Sequence, residues 1–282
     1  LLWEALAGVY TALGFDAVGD QAFRSLVMAR IIEPTSKIDT LRVLAEVGVP
    51  APSPATVTRC VKRVTQRDYR AVLSDACFAH VTSSGTLSLV LYDVTTLYFE
   101  VEHEDSLRKV GMSKERRVDP QVSVGLLCDR RGFPLAVHLF EGNKAETKTL
   151  IPVLTDFRQR HPSVADIVVV ADAGMLSAAN LLALEEAGYC FIVGSRVSRA
   201  PYDLADHIDK HGNYIPDQGT VETTRKMGKG AKARTRRVVY HYSHKRAQHD
   251  RRALNAMLER AEKVVDRTRP LKKDRFVKLA GT

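Results

Sequence analysis

The chain has 282 residues, of which 45% are hydrophobic and 27% charged, enough to bury a sizeable core and to form about two domains. This composition excludes wholesale disorder and collagen-like or low-complexity architectures, and no apolar run approaches the roughly 20 residues that span a bilayer. The net charge of +9 is unevenly placed: residues 1–195 carry 20 Lys and Arg against 23 Asp and Glu, and residues 196–282 carry 22 against 10.

Residues 1–82 read as helices. Phe23, Leu26, Val27, Arg30 and Ile31 keep helical spacing until Pro34, and Ile38, Leu41, Leu44 and Ala45 repeat the pattern until Gly48. Ser53-Pro54 has the form of an N-cap followed by proline at the first helical position. Behind it Val57, Val61 and Val64 form an apolar face, with Thr58, Arg59, Lys62 and Arg63 on the other side. That helix is either a DNA-recognition helix or one member of a plain bundle.

From Thr86 the period becomes strand-like. Leu87–Tyr92 is a strand ending at Asp93, Gln121–Cys128 a second, and Pro134–Phe140 a third that the Asp129–Gly132 turn folds back as a hairpin. Lys148–Arg160 follows as a helix. Ile167–Ala171 is an almost continuous apolar strand, as expected of one covered on both faces. Ser177–Ala187 is a helix and Tyr189–Val193 another buried strand. The order β-β-β-α-β-α-β describes a mixed sheet covered by helices. Residues 196–246 are polar and basic with strand-like stretches at Gly219–Thr224 and Arg237–Tyr242, and Asp250–Val265 reads as a helix. The expected domains are therefore 1–82, helical and a candidate for DNA binding; 83–195, the mixed sheet; and 196–282, a basic β-rich segment with a helix.

The four cysteines, Cys60, Cys77, Cys128 and Cys190, have neither C-x-x-C nor zinc-site spacing and read as reduced, mostly buried thiols. The leading Leu1-Leu2-Trp3-Glu4 lacks a basic n-region, so it is not a signal peptide; the missing initiator Met suggests a start inside a longer chain. Between Arg225 and Arg252 there are 11 basic residues and one acidic residue. Such a block is either a phosphate-backbone surface or a solvated loop. Its candidate contacts are Arg225, Lys226, Lys229, Lys232, Arg234, Arg236 and Arg237.

Two aspartates carry the candidate chemistry. Asp93 follows the first strand and Asp172 follows Ile167–Ala171. If those strands are parallel neighbours, both carboxylates emerge at one sheet end, roughly 4.8 Å apart in strand spacing. Carboxylates held so closely repel unless a cation lies between them, and oxygen-only ligands suit Mg²⁺ or Mn²⁺. Taken singly, each Asp reads as a strand-ending turn residue; taken together, in this strand order, the two read as a metal pair. Thr95 and Thr96 either steady Asp93 or contact phosphate, or serve only as β-formers. Gly142-Asn143 is a turn or a substrate contact, and Ser113, Lys114, Arg116 and Arg117 form a polar loop facing DNA or solvent. No histidine is placed for nucleophilic catalysis, and no dinucleotide or Walker motif is present.

The strings Leu91-Tyr92-Asp93-Val94-Thr95-Thr96-Leu97-Tyr98-Phe99-Glu100, Gly111-Met112-Ser113-Lys114 through Asp119-Pro120-Gln121-Val122, Gly132-Phe133-Pro134-Leu135, Phe140-Glu141-Gly142-Asn143 with Glu146-Thr147-Lys148-Thr149, and Val170-Ala171-Asp172-Ala173-Gly174-Met175 resemble, in order, those of bacterial insertion-sequence DDE transposases. The resemblance implies an α/β, RNase H-like mixed sheet with a helical N-terminal region and a β-rich basic insertion. It implies Asp93 and Asp172 as catalytic ligands of two Mg²⁺ or Mn²⁺ ions, cleavage at transposon ends and strand transfer to target DNA. Double-stranded DNA would be the partner, with the protein a homodimer in the DNA complex, cytoplasmic and nucleoid-associated when bound. Thr95 and Lys114 would join the DNA contacts. The family's third carboxylate, a Glu in a Tyr-x-x-Arg-x-x-x-Glu-x-x-x-x-x-x-Lys pattern, is not matched. Tyr242, Arg246 and Asp250 have the wrong gap and acid, and Glu259 and Glu262 lack the preceding Tyr and Arg. The expectation is a chain that stops at Thr282 before that Glu. The alternatives are a catalytically incomplete DNA-binding fragment and an RNase H-fold nuclease.

Overall fold

The computed structural model describes residues 1–112, 118–164, 166–173, 177–195, 202–212, 215–228, 230 and 233–266. It divides into two units, Leu1–Arg196 and Val197–Thr282.

The first unit begins with helices α1 (Leu2–Ala12), α2 (Gln21–Ile32), α3 (Thr40–Glu46), α4 (Pro54–Gln66) and α5 (Tyr69–Ser83), with a 3₁₀ turn at Phe15–Val18. As the sequence predicts, Ser53 caps α4 by accepting from the Thr56 amide. Asp20 caps α2 and does more: its carboxylate accepts from the Ala22 and Phe23 amides, from Arg63 Nε at 2.7 Å and from the Tyr69 hydroxyl at 2.8 Å. One buried acid therefore ties α2, α4 and α5 together. Arg63 accordingly turns inward, against the expectation that it lies on the outer face; Thr58, Arg59 and Lys62 are exposed.

The sheet contains β1 (Leu89–Tyr98), β2 (Gln121–Asp129), β3 (Pro134–Glu141), β4 (Val168–Ala171) and β5 (Cys190–Val193). Its order is β3-β2-β1-β4-β5. β1 pairs antiparallel with β2 and parallel with β4, and β4 pairs parallel with β5. Helix α6 (Leu150–Arg160) joins β3 to β4, and α7 (Ala178–Glu186), capped by Ser177, joins β4 to β5. This is the mixed α/β sheet that the RNase H-like expectation requires. Val90, Tyr92 and Val94 of β1 pack with Phe78 of α5, Leu150, Val153, Leu154 and Phe157 of α6 and Leu184 of α7 in one buried cluster. The Tyr189 hydroxyl donates to the Leu154 carbonyl at 3.1 Å, fixing the end of α7 against α6.

All three helices thus lie on one face. The other face presents Leu91, Asp93, Thr95 and Leu97 from β1, with Leu97 51%, Leu139 48% and Ile192 62% exposed. Two expectations change here. β4 alternates buried and half-buried residues, and β5 is an exposed edge rather than a buried strand. Their apolar composition records an apolar second face, which no other element of this unit covers among the described residues.

The second unit holds α8 (Tyr202–His211), β6 (Thr220–Met227), β7 (Arg234–His241) and α9 (His244–Val265). β6 and β7 form an antiparallel hairpin in register from Thr220↔His241 to Met227↔Arg234. α8 is absent from the sequence reading, and α9 begins six residues earlier than expected because Ser243 caps it by accepting from the Arg246 amide.

Candidate active site

β1 does not end at Asp93. The ladder with β2 runs on to Tyr98↔Gln121, carried by the β-favouring Val94, Thr95 and Thr96. What ends there is the parallel ladder with β4, whose last pair is Tyr92↔Ala171. Asp93 and Asp172 are the next residues on each strand and are both exposed. Side chains alternate along a strand, so Asp93 stands on the face opposite Tyr92, while Asp172 is the first residue past β4, its Oδ1 near Gly194. Both residues come one position past the last β1–β4 pair, on strands that lie roughly 4.8 Å apart.

Glycine shapes the space around them. Gly194 follows β5, and its amide donates to the Ala171 carbonyl at 3.1 Å. A Cβ there would lie 3.1 Å from the Ala173 nitrogen and 3.6 Å from Asp172 Oδ1. Asp172 Oδ1 accepts from the Ala173 amide at 2.6 Å, so a side chain at 194 would press on the bond that aims the carboxylate. Sequence reasoning passed over Gly194; the available signal was a glycine just beyond a strand adjoining the Asp172 strand.

Beneath Asp93, the Tyr92 hydroxyl is buried without a hydrogen-bond partner. Its pKa is pushed up to about 12, first by burial and then by the charges of Asp93 and Glu146; the neighbouring Thr149 hydroxyl pulls the other way. That hydroxyl is spent on the Glu146 carbonyl at 2.7 Å. Burial also raises the Cys128 thiol, with the charges of Asp129 and Asp93 adding to it.

Thr95 lies two residues beyond Asp93 on the same face and is exposed, whereas Thr96 faces the other way and is half-buried. Lys114, with Ser113, Arg116 and Arg117, lies outside the described residues, as do Gly174 and Met175. Gly142 is buried packing rather than a substrate contact. Gln121 Nε2 donates to its carbonyl at 2.7 Å, its amide donates to the Leu107 carbonyl at 3.1 Å, and a Cβ at either Gly142 or Gly111 would strike backbone. The glycines of those two motif strings therefore serve a close backbone crossing over the end of β2.

The basic candidates fall in the second unit and divide. Arg225 is committed within the fold: its guanidinium meets Asp203 at 2.5 Å and also the Tyr240 hydroxyl. Burial works against ionising Asp203, but hydrogen bonds from Thr223, Arg225 and Tyr240 outweigh it and hold the carboxyl at about 2. Lys226 and Arg234 are exposed and Arg236 is half-buried; Arg237 is exposed and meets Glu222 at 2.6 Å. Lys229 and Lys232 lie outside the described residues. All four cysteines are free, Cys190 exposed and the others buried. Among the described residues no helix is long and apolar enough to cross a membrane, and no group of three His, Cys, Asp or Glu residues is placed to hold a metal.

The Asp93–Asp172 pair nevertheless fits a hard divalent cation. Its donors are all carboxylate oxygens and both residues are exposed to solvent. Fold and site together define a mixed α/β domain with an acidic pair where two adjoining parallel strands part. A family model described as "Transposase DDE domain" matches residues 84–269. The chain belongs to that family. No curated protein matches the sequence. Similar solved structures include a piggyBac transposase synaptic complex with hairpin DNA, with 11% identity and a TM-score of 0.34 over 61% of this chain and 36% of that one. A Mos1 transposase paired-end complex with left transposon end gives 10%, 0.27, 59% and 56%. A Mos1 mariner paired-end complex with Mn gives 10%, 0.29, 67% and 64%. The chain thus spans less than two thirds of each of these proteins.

Proposed function

We propose that this chain acts in DNA transposition, cleaving phosphodiesters at transposon ends and transferring the freed strand to target DNA. The observation that carries this reading is that β1 and β4 pair in parallel up to Tyr92↔Ala171, the residues just before Asp93 and Asp172, inside the segment that matches the transposase domain. The two aspartates would hold Mg²⁺ or Mn²⁺. The bound ions supply charge neutralisation at the attacked phosphate and activation of the entering oxygen. Asp172 is aimed by the Ala173 amide, and Gly194 lets the chain after β5 pass close to that bond without pressing on it. Thr95 offers a hydroxyl on the same face, within one strand repeat of Asp93. The third carboxylate that the family resemblance implies sits on a helix, and the exposed apolar face around Leu97, Leu139 and Ile192 is where such a helix would pack. Duplex DNA is the substrate, held as a homodimer complex on the nucleoid in the cytoplasm. The exposed Thr58, Arg59 and Lys62 of α4 provide a further contact in the N-terminal region.

The test is excision of a marked element from a plasmid by the protein with Mg²⁺ or Mn²⁺. Asp93→Asn and Asp172→Asn should each reduce product by at least about 100-fold, the upper end of what losing only a hydrogen-bond partner of a metal ligand costs. Undiminished excision by either variant refutes the assignment. A second reading, a chain that binds DNA without cutting it, is favoured by the pair having no third metal ligand beside it among the described residues. It predicts salt-sensitive DNA binding and no cleavage by the unmodified chain.

A further inference from the structure

The β6–β7 hairpin has two unlike faces. Register and alternation put Val221, Thr223, Arg225, Val238 and Tyr240 on one side. That side is tied to α8: Asp203 accepts from the Thr223 hydroxyl at 2.6 Å, from Arg225 and from Tyr240. The other side carries Thr224, Lys226, Thr235 and Arg237, all exposed. Thr224 lies opposite Arg237 and Lys226 opposite Thr235, so the two cations stand on adjoining cross-strand pairs, each beside a small hydroxyl side chain. The one acid on this side, Glu222, is bound to Arg237 at 2.6 Å with both side chains more than half exposed. The pair is bidentate, Arg237 Nη2 also donating to Glu222 Oε2 at 2.6 Å, but it stands in water, where salt screens it and a phosphate can compete for Arg237.

We propose that this α8-free face is a duplex-DNA contact surface, the ribbon lying along the major groove with Lys226 and Arg237 on phosphates and Glu222 acting as a weak internal competitor for Arg237. The dimensions agree. Two strands roughly 4.8 Å apart, with short side chains between the cations, fit a groove about 12 Å wide. The sequence from Arg225 to Arg237 holds seven basic residues and no acid, so no carboxylate in this segment opposes a polyanion. Arg225 takes no part, because Asp203 and Tyr240 already hold it. This assignment rests on the proposed action on DNA and adds which face of the basic segment meets the duplex and which residue restrains it.

The experiment measures fluorescence anisotropy of a labelled 30-bp duplex of arbitrary sequence (roughly three helical turns) with the full chain carrying Asp93→Asn, from 50 to 200 mM KCl. Each lost phosphate contact lowers the salt slope by about 0.9. Lys226→Ala should therefore lose about 3.5-fold less affinity than the parent over that fourfold salt range, and should bind more weakly at 50 mM. Glu222→Gln should bind more tightly than the parent, a gain that misfolding does not produce. If the parent binds DNA and both variants give its affinity and slope, the ribbon assignment is overturned while the action on DNA stands. If the parent binds no DNA, both fall. Tighter binding to a single strand of the same length also contradicts the groove seating.

Discussion

Gly125 and Tyr92 make a close contact whose energy can be isolated. Gly125 lies opposite Val94 in the β1–β2 ladder, and a Cβ there would overlap the Tyr92 hydroxyl and stand 3.1 Å from two ring carbons. Gly125→Ala therefore overpacks a buried site, which costs about 1–3 kcal/mol. Tyr92→Phe removes the overlapped atom. That hydroxyl is buried without a partner, so its loss returns a desolvation penalty and should cost less than about 1 kcal/mol. With the hydroxyl absent, alanine at 125 meets only the ring carbons, and the double variant should be destabilised by about 1 kcal/mol rather than by the sum of the two single effects. The predicted coupling is about 1 kcal/mol or more in favour of the pair. Urea unfolding followed by Trp3, the one tryptophan of the chain and a residue packed on the Ala29–Val43–Leu44 cluster, reports on this unit. Additivity within about 0.5 kcal/mol would refute the steric account.

Two other predictions concern acids held below their ordinary range. Asp20 is 6% exposed and binds Arg63; its burial is outweighed by hydrogen bonds from Tyr69, Arg63 and the Phe23 amide. Asp20→Ala should destabilise the N-terminal helices by about 3 kcal/mol, combining a lost cap with a partly buried Arg63 left unpaired, and urea titration of the variant should show no smaller loss than about 1.5 kcal/mol. Asp203 titrates at about 2, against an ordinary 3.8. A carboxyl depressed in the folded state stabilises fully above the ordinary value and loses that contribution as pH falls through about 2. Protection of the β6 and β7 amides, taken as exchange relative to the intrinsic rate at the same pH, should therefore fall between about pH 4 and pH 2 in the parent. Asp203→Asn should show a flatter dependence, and parallel profiles would contradict the role given to this carboxylate.

Much of the fold follows from pattern alone. The caps Ser53 and Ser177, the turn at Asp129–Gly132 and the order of strands and helices are local, and local chemistry decides them. The sequence misplaces the end of β1 because Asp93 resembles a strand terminator, whereas pairing with β2, a partner some thirty residues away, carries the strand on to Tyr98. The exposure of β5 was equally out of reach: Phe191 and Ile192 are apolar whether or not a helix covers their faces. At the proposed site, the two aspartates stand out in the sequence because each follows an apolar stretch, Leu87–Tyr92 and Ile167–Ala171. The tie of Arg225 to Asp203 was not, since 22 residues and an unanticipated helix separate them. Gly194 gave only a faint signal, a glycine just past a strand, because its role depends on the neighbouring strand, β4, and not on its own surroundings in the chain.

The measurement that bears most directly on the central assignment is Mn²⁺ binding to the full chain, read by the loss of the free-ion EPR signal. The account predicts that Asp93→Asn and Asp172→Asn each weaken binding by at least about tenfold, while Thr95→Ala leaves it unchanged. Binding of Mn²⁺ by both aspartate variants as tightly as by the parent would contradict the assignment of these two carboxylates as a metal pair.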